Sequence, residues 1–258
     1  MKTISTLFII TIITLPMIFS LRISVDNFLS GKGNRIWGLG SSQDVYYFDG
    51  VTGESKQIDG KLASISEGPD GKIWGTNKER EVLIRDGVNG TWKKLDSEGI
   101  KISTLSVASD GRVWGRSPDF SIYTRPGVEG KWQKIDGQPF YNISPGPNGR
   151  VWGVDENEDV YTRDGVNGKW QKIEGPKFHQ VSAGSSDGRV WGLDKKFNVL
   201  TRPGVEGKWE KINRQLKAIS VSSDGRLWGT DFNLNVFTQN GVNGKWQKID
   251  GKYNEVSA

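Results

Sequence analysis

A chain of 258 residues without cysteine, carrying a net charge of +5, has no access to disulfides, thiol catalysis or thiolate metal sites. Its Lys and Arg are spread along the whole sequence rather than gathered in a tract, so a nucleic-acid footprint is not expected. The length fits one or two domains and leaves ample chain to bury a core.

The first stretch differs from the rest. Lys2 is followed by apolar and hydroxyl residues with no further charge before Arg22. A short basic start, an apolar run and a small residue at Ser20 read as a secretory signal peptide over residues 1–20. A retained membrane anchor is the rival, because the uncharged run approaches the ~20 residues that span a bilayer. Pro16 and the many Thr weigh against that rival. Residues 21–34 then form an N-terminal arm.

From residue 35 to 258 one phrase repeats. A Trp-Gly pair stands at Trp37, Trp74, Trp114, Trp152, Trp191 and Trp228, at intervals of 37, 40, 38, 39 and 37 residues. Eighteen residues after each lies a second marked position: Ser55, then Trp92, Trp132, Trp170, Trp209 and Trp246. These account for all 11 Trp of the chain. The repeat runs on without a compositional break, which decides for a single domain.

Each unit divides into four short apolar runs. In the fourth they are 142–144, 150–154, 160–163 and 169–173, separated by turn residues such as Pro147-Asn148-Gly149 and Asp164 to Gly168. Runs rich in Val, Ile, Tyr and Trp and bounded by Gly, Asn, Asp and Pro are strands. Four antiparallel strands per unit of about 40 residues make a propeller blade. The expected fold is therefore all-β, a six-bladed β-propeller of four-stranded blades.

Val256-Ser257 matches Ile65-Ser66, Ile143-Ser144, Val181-Ser182 and Ile219-Ser220, the first strand of other units. The C-terminus is thus expected to complete the blade begun at Arg35, which closes the ring and removes both open sheet edges. Leu21 to Ser30 is then an arm, or a competitor for the same slot. Turns between the first and second strands and between the third and fourth are nearly constant and share one face. The remaining turns and the links between units vary and share the other.

Trp-Gly-(Val/Leu)-Asp, (Val/Ile)-Tyr-Thr-Arg-Pro-Gly and Gly-Lys-Trp-x-Lys-Ile-Asp-Gly together resemble the tectonin repeat, over roughly residues 35 to 258. That resemblance implies a six-bladed propeller that binds carbohydrate without catalysis, with surface glycans or bacterial lipopolysaccharide as partners. The chain departs from the animal lectins of the family in having no cysteine, and its first unit lacks the second Trp.

Nothing in the sequence calls for catalysis, a cofactor or a metal. His179 is the single histidine and falls in what reads as a variable link. Asp155 to Asp159 has alternating oxygens but lacks the Gly and distal Glu of a calcium loop. The first Trp series, in mid-strand, reads as wedges between blades. The second (Trp92, Trp132, Trp170, Trp209 and Trp246) has two readings: a stacking platform for the apolar face of a sugar ring, or packing. Arg85, Arg125, Arg163 and Arg202 point to the constant face, either as forks for phosphate or carboxylate groups or as donors to turn carbonyls. Sequons stand at Asn89 and Asn142, and glycosylation is expected, if anywhere, at Asn89, because Pro145 disfavours Asn142.

The expectation is a secreted multivalent lectin that meets membrane surfaces only through their glycans. The alternative is a protein-interaction scaffold, which would use the variable face and its aromatics Phe140, Tyr141, Phe178 and Tyr253.

Overall fold

The computed structural model describes residues 35–257 apart from 41, 52–54, 223 and 253–254, and over 250–252 and 255–257 it describes the backbone alone. The expected leader (residues 1–20), the expected arm (21–34) and Tyr253 lie outside the described residues. Every regular element described is a strand, and the strands form six four-stranded antiparallel sheets. This is the expected six-bladed propeller. In the fourth blade (blade IV) the strands run, from the inside out, Phe140–Pro145, Arg150–Asp155, Val160–Asp164 and Gln171–Ile173. The inner strand begins two residues earlier than its sequence suggested, across a register shift between Phe140 and Asn142. The outer strand begins two later, because Lys169 and Trp170 stand outside the ladder.

Blade I is built from both ends of the repeat array. Glu255–Ser257 pairs with Arg35–Leu39, with Trp37 opposite Ser257 and Gly38 opposite Val256. The closing strand thus comes from the C-terminus, as the Val-Ser match implied.

Side chains on the inner strands join one blade to the next. The Ser of the Ile/Val-Ser pair accepts a backbone N–H from its neighbour: Ser66 from Val107 at 3.0 Å, Ser144 from Ala183 at 3.0 Å, and Ser182 from Val221 at 3.0 Å. Inner-strand amides that face another blade would otherwise be left without partners. Asn142 Oδ1 takes the N–H of Val181 in the same way, and the residue is buried. Its sequon is therefore closed to glycosylation, while Asn89 is exposed on its turn.

The first Trp series fills the gaps between blades. All six rings are buried, and each packs onto the following blade. Trp37 clusters with Ile65 and Ile73, Trp152 with Phe178, Val181 and Val190, and Trp228 with Ile36 and Phe48 of blade I. Burying a Trp removes on the order of 150–250 Å² from water, worth about 4–6 kcal/mol before ordering entropy is subtracted.

The Gly after this Trp has a packing role. A methyl group at Gly153 would lie 2.7 Å from Phe140, and one at Gly192 2.6 Å from Phe178. Leu62, Ile102 and Leu216 crowd the matching Gly75, Gly115 and Gly229. The large residue that opens each of blades II to VI thus rests on bare backbone. This corrects the expected exposure of Phe140 and Phe178, which are wholly buried. They close the blade interface, and of the four aromatics named above only Tyr141 is seen to be exposed.

The two faces are stitched differently. On the constant face the turns meet through their glycines, with Gly165 N–H donating to Gly149 O at 3.1 Å and Gly241 N–H to Gly225 O at 3.3 Å. On the variable face the turn after the second strand of blades I to V accepts the N–H that opens the next blade. Phe120 O receives Phe140 N–H at 3.1 Å, and Glu158 O receives Phe178 N–H at 2.9 Å. Gln43, Arg80, Phe120, Glu158, Phe197 and Leu234 all sit there at φ between 61° and 67°. Side chains of this size are uncommon in the left-handed region, so the turn-to-link bond has to hold them.

Candidate functional site

The repeated Arg are set by their own turn. Arg85, Arg125, Arg163 and Arg202 each occupy the end of a third strand and are buried. In each, Nε donates to the carbonyl of the turn Gly two residues on (Gly87, Gly127, Gly165 and Gly204), and Nη2 to that of the Val after it. The third arm reaches the preceding blade in three of them: Arg85 pairs with the Asp59 carboxylate, Arg125 approaches Asp96 O and Arg163 approaches Asp136 O. Burial lowers the guanidinium pKa of Arg125, Arg163 and Arg202. Of the two readings for these side chains, the geometry displays donation to turn carbonyls.

The second Trp series lies beside them. Each guanidinium stands 5.2–5.6 Å from the centroid of its own blade's Trp, pairing Arg85 with Trp92, Arg125 with Trp132, Arg163 with Trp170 and Arg202 with Trp209. In the sixth blade Gln239 replaces Arg, and Arg214 from the fifth blade approaches Trp246 instead. One side of the ring is covered by the preceding blade. A methyl on Gly60 would meet Trp92 at 2.5 Å, and one on Gly137 would meet Trp170 at 2.6 Å. Trp170 also packs on Phe140, and Trp209 on Phe178, at 4.2 and 4.3 Å between centroids. Trp132 is 8% exposed; the other four are half-buried and keep an outer edge in water.

The indole N–H separates the copies. Trp92 donates to Asp59 O at 2.8 Å and Trp170 to Asp136 O at 3.0 Å. Trp209 Nε1 has no partner among the described residues. Beside this ring a groove of about 560 Å³ opens between blades IV and V. Gln171, Lys172, Glu174 and Pro176 line one wall, and Arg202, Lys208 and Trp209 the other. Apolar ring surface thus stands among amide, carboxylate and ammonium groups, most of them exposed. In blade I, Ser55 is exposed where the other blades place Trp.

The acidic hairpin of blade IV closes on itself. Asp155 Oδ1 accepts the backbone N–H of Asn157 at 3.0 Å and of Asp159 at 2.8 Å. Asp194 and Asp231 repeat this turn. Burial pulls the pKa of Asp194 up, but hydrogen bonds from Asn198 and from the Asn198 and Lys196 amides outweigh it and hold the carboxyl low. Among the described residues no cluster of three His, Cys, Asp or Glu is placed to hold a metal ion. His179 lies within the inner strand Phe178–Ser182 rather than in a link, with Nδ1 3.5 Å from Glu158 and its ring 4.9 Å from that of Phe197.

Six four-stranded blades in a ring, with Trp–Arg pairs at the seams of blades II to V, make this chain a β-propeller of the repeat class. The Tectonin domain matches residues 24–208 and 177–258, and the chain belongs to that family. No curated protein matches the sequence. Many solved structures match the fold, two of them as follows. One is a selenomethionine-substituted virginiamycin B lyase from Staphylococcus aureus, at 18% identity and a TM-score of 0.57, covering 73% of this chain and 69% of that one. The other is YCF48 bound to D1 peptide, at 14% identity and a TM-score of 0.57, covering 89% of this chain and 83% of that one.

Proposed function

We propose that this protein is a secreted, non-catalytic, multivalent lectin that recognises surface glycans, bacterial lipopolysaccharide included. The observation that carries the reading is the groove between blades IV and V, where Trp209 stands beside Gln171, Glu174 and Lys208. Sugar rings present apolar C–H faces and a rim of hydroxyls, and the groove offers an apolar ring edge with hydrogen-bonding groups around it. Family membership supports a carbohydrate partner in general. Weak sites repeated on one rigid ring gain avidity on a dense glycan surface without any strong single contact. Secretion rests on the leader-like sequence of residues 1–20.

A glycan array tests the reading. Saturable binding that falls when the exposed Gln171 and Lys208 are both replaced by Ala supports it. Silence across the array favours the second reading, a protein-interaction scaffold, for which the exposed Tyr141 (38%) and Phe232 (58%) on the variable face are the contact candidates.

A further inference from the structure

Blade III holds a cation in a place built for packing. Arg116 ends the second strand of that blade, opposite Thr104 in the register. The corresponding residues of the other blades are Leu39, Thr76, Val154, Leu193 and Thr230, all of them uncharged and buried. Arg116 is itself only 9% exposed. The repeated Arg described above are also buried, but each donates to two turn carbonyls. Arg116 has nothing comparable: among the described residues its side chain makes one hydrogen bond, a long one from Nε to Thr104 Oγ1 at 3.4 Å.

No carboxylate among the described residues pairs with it. The acid of the adjoining turn, Asp119, is engaged by the hydroxyls of Ser117 and Ser121. Burial, and after it the like charge of Arg80, lowers the Arg116 pKa to about 10. Aromatic rings complete the surroundings. The guanidinium stands 4.9 Å from the centroid of Phe120, and Phe120 meets the exposed ring of Tyr141 edge-on at 4.8 Å. Phe120 itself adopts φ 65°, a conformation rare for its type.

A buried charge with neither counter-ion nor full hydrogen bonding is destabilising, and such groups concentrate at binding sites. We propose that Arg116 is the anchor of an anion site on the variable face, where Phe120 of blade III meets Tyr141 of blade IV. It takes one oxyanion, a carboxylate or a phosphate, on a small ligand whose body lies against Phe120 and Tyr141. Arg80 adds long-range attraction, and the planar guanidinium supplies parallel donors matched to an oxyanion. The site is separate from the groove beside Trp209 and does not depend on the lectin reading.

Glucuronate, glucose 6-phosphate and glucose, titrated at matched ionic strength, test it. At least one of the two anions should bind, with glucose weaker by about tenfold or more, as expected for charged hydrogen bonds in a partly dry site. Which anion binds distinguishes carboxylate from phosphate. Arg116→Leu, which copies Leu39 and Leu193, should weaken the anion by about tenfold or more and melt at or above the wild-type temperature. Tyr141→Ala should weaken binding while leaving the melting temperature in place. The proposal is overturned if neither anion binds the wild type, if Arg116→Leu binds equally well, or if that variant melts below the wild type, which would make Arg116 a structural residue.

Discussion

Trp170 and Arg163 donate to the same atom, the carbonyl oxygen of Asp136 in the preceding blade, at 3.0 and 3.3 Å. Arg163 also holds its own turn through Gly165 O and Val166 O. Ring and guanidinium lie 5.2 Å apart, centroid to Cζ, so the pair forms one layer across the blade seam. A repeat protein needs strong nearest-neighbour interfaces, and this layer supplies one at the outer edge.

Trp170→Ala should therefore lower stability by about 2–4 kcal/mol, at or below the range for large core truncations because the outer ring edge is already wet. Arg163→Ala should lose less on top of it than alone, since the two share an acceptor. Melting curves for the two single variants and the double variant check this. Full additivity would mean that they act independently.

Gly153→Ala should cost about 1–3 kcal/mol by overpacking, because the new methyl would lie 2.7 Å from Phe140. In a Phe140→Ala background the same change should cost far less. A penalty of equal size in both backgrounds would locate the strain elsewhere.

Most of this architecture could be read from the sequence, because the repeat is periodic. Blade number, turn positions and closure by Val256-Ser257 all follow from spacing. What single letters could not show was which way a side chain faces. Phe140 and Phe178 read as parts of variable links, yet they open inner strands and pack inward, since the Gly of the next strand leaves room for them. Arg85 and its counterparts sit on the constant face, but turn carbonyls two and three residues on take up their donors. Arg116 stood out in no motif, and the only signal was an Arg where other units have Leu, Val or Thr.

Glu67 gives the seam between blades I and II a pH dependence. Its carboxylate accepts Trp37 Nε1 at 2.8 Å and Arg35 Nη1 at 3.1 Å. Burial raises its pKa from 4.5, outweighing the lowering by Trp37 and Arg35. The folded state therefore binds this proton more tightly than the unfolded state. The resulting stabilisation is present below the unfolded value and is lost as pH rises through the folded one. Glu67→Gln removes the titration. Its stability relative to the wild type should improve as pH climbs from about 4 to about 7. Denaturant midpoints at several pH values measure this, and a difference that stays constant would show that Glu67 titrates normally.

Site counting by calorimetry with a saccharide identified on the array tests the lectin account most directly. The seam Trp occurs in five blades and is replaced by Ser55 in the first. Trp132 is buried, so a multivalent lectin whose sites are built around that ring predicts more than one site per chain and at most four. A count of none, one, five or six would contradict it.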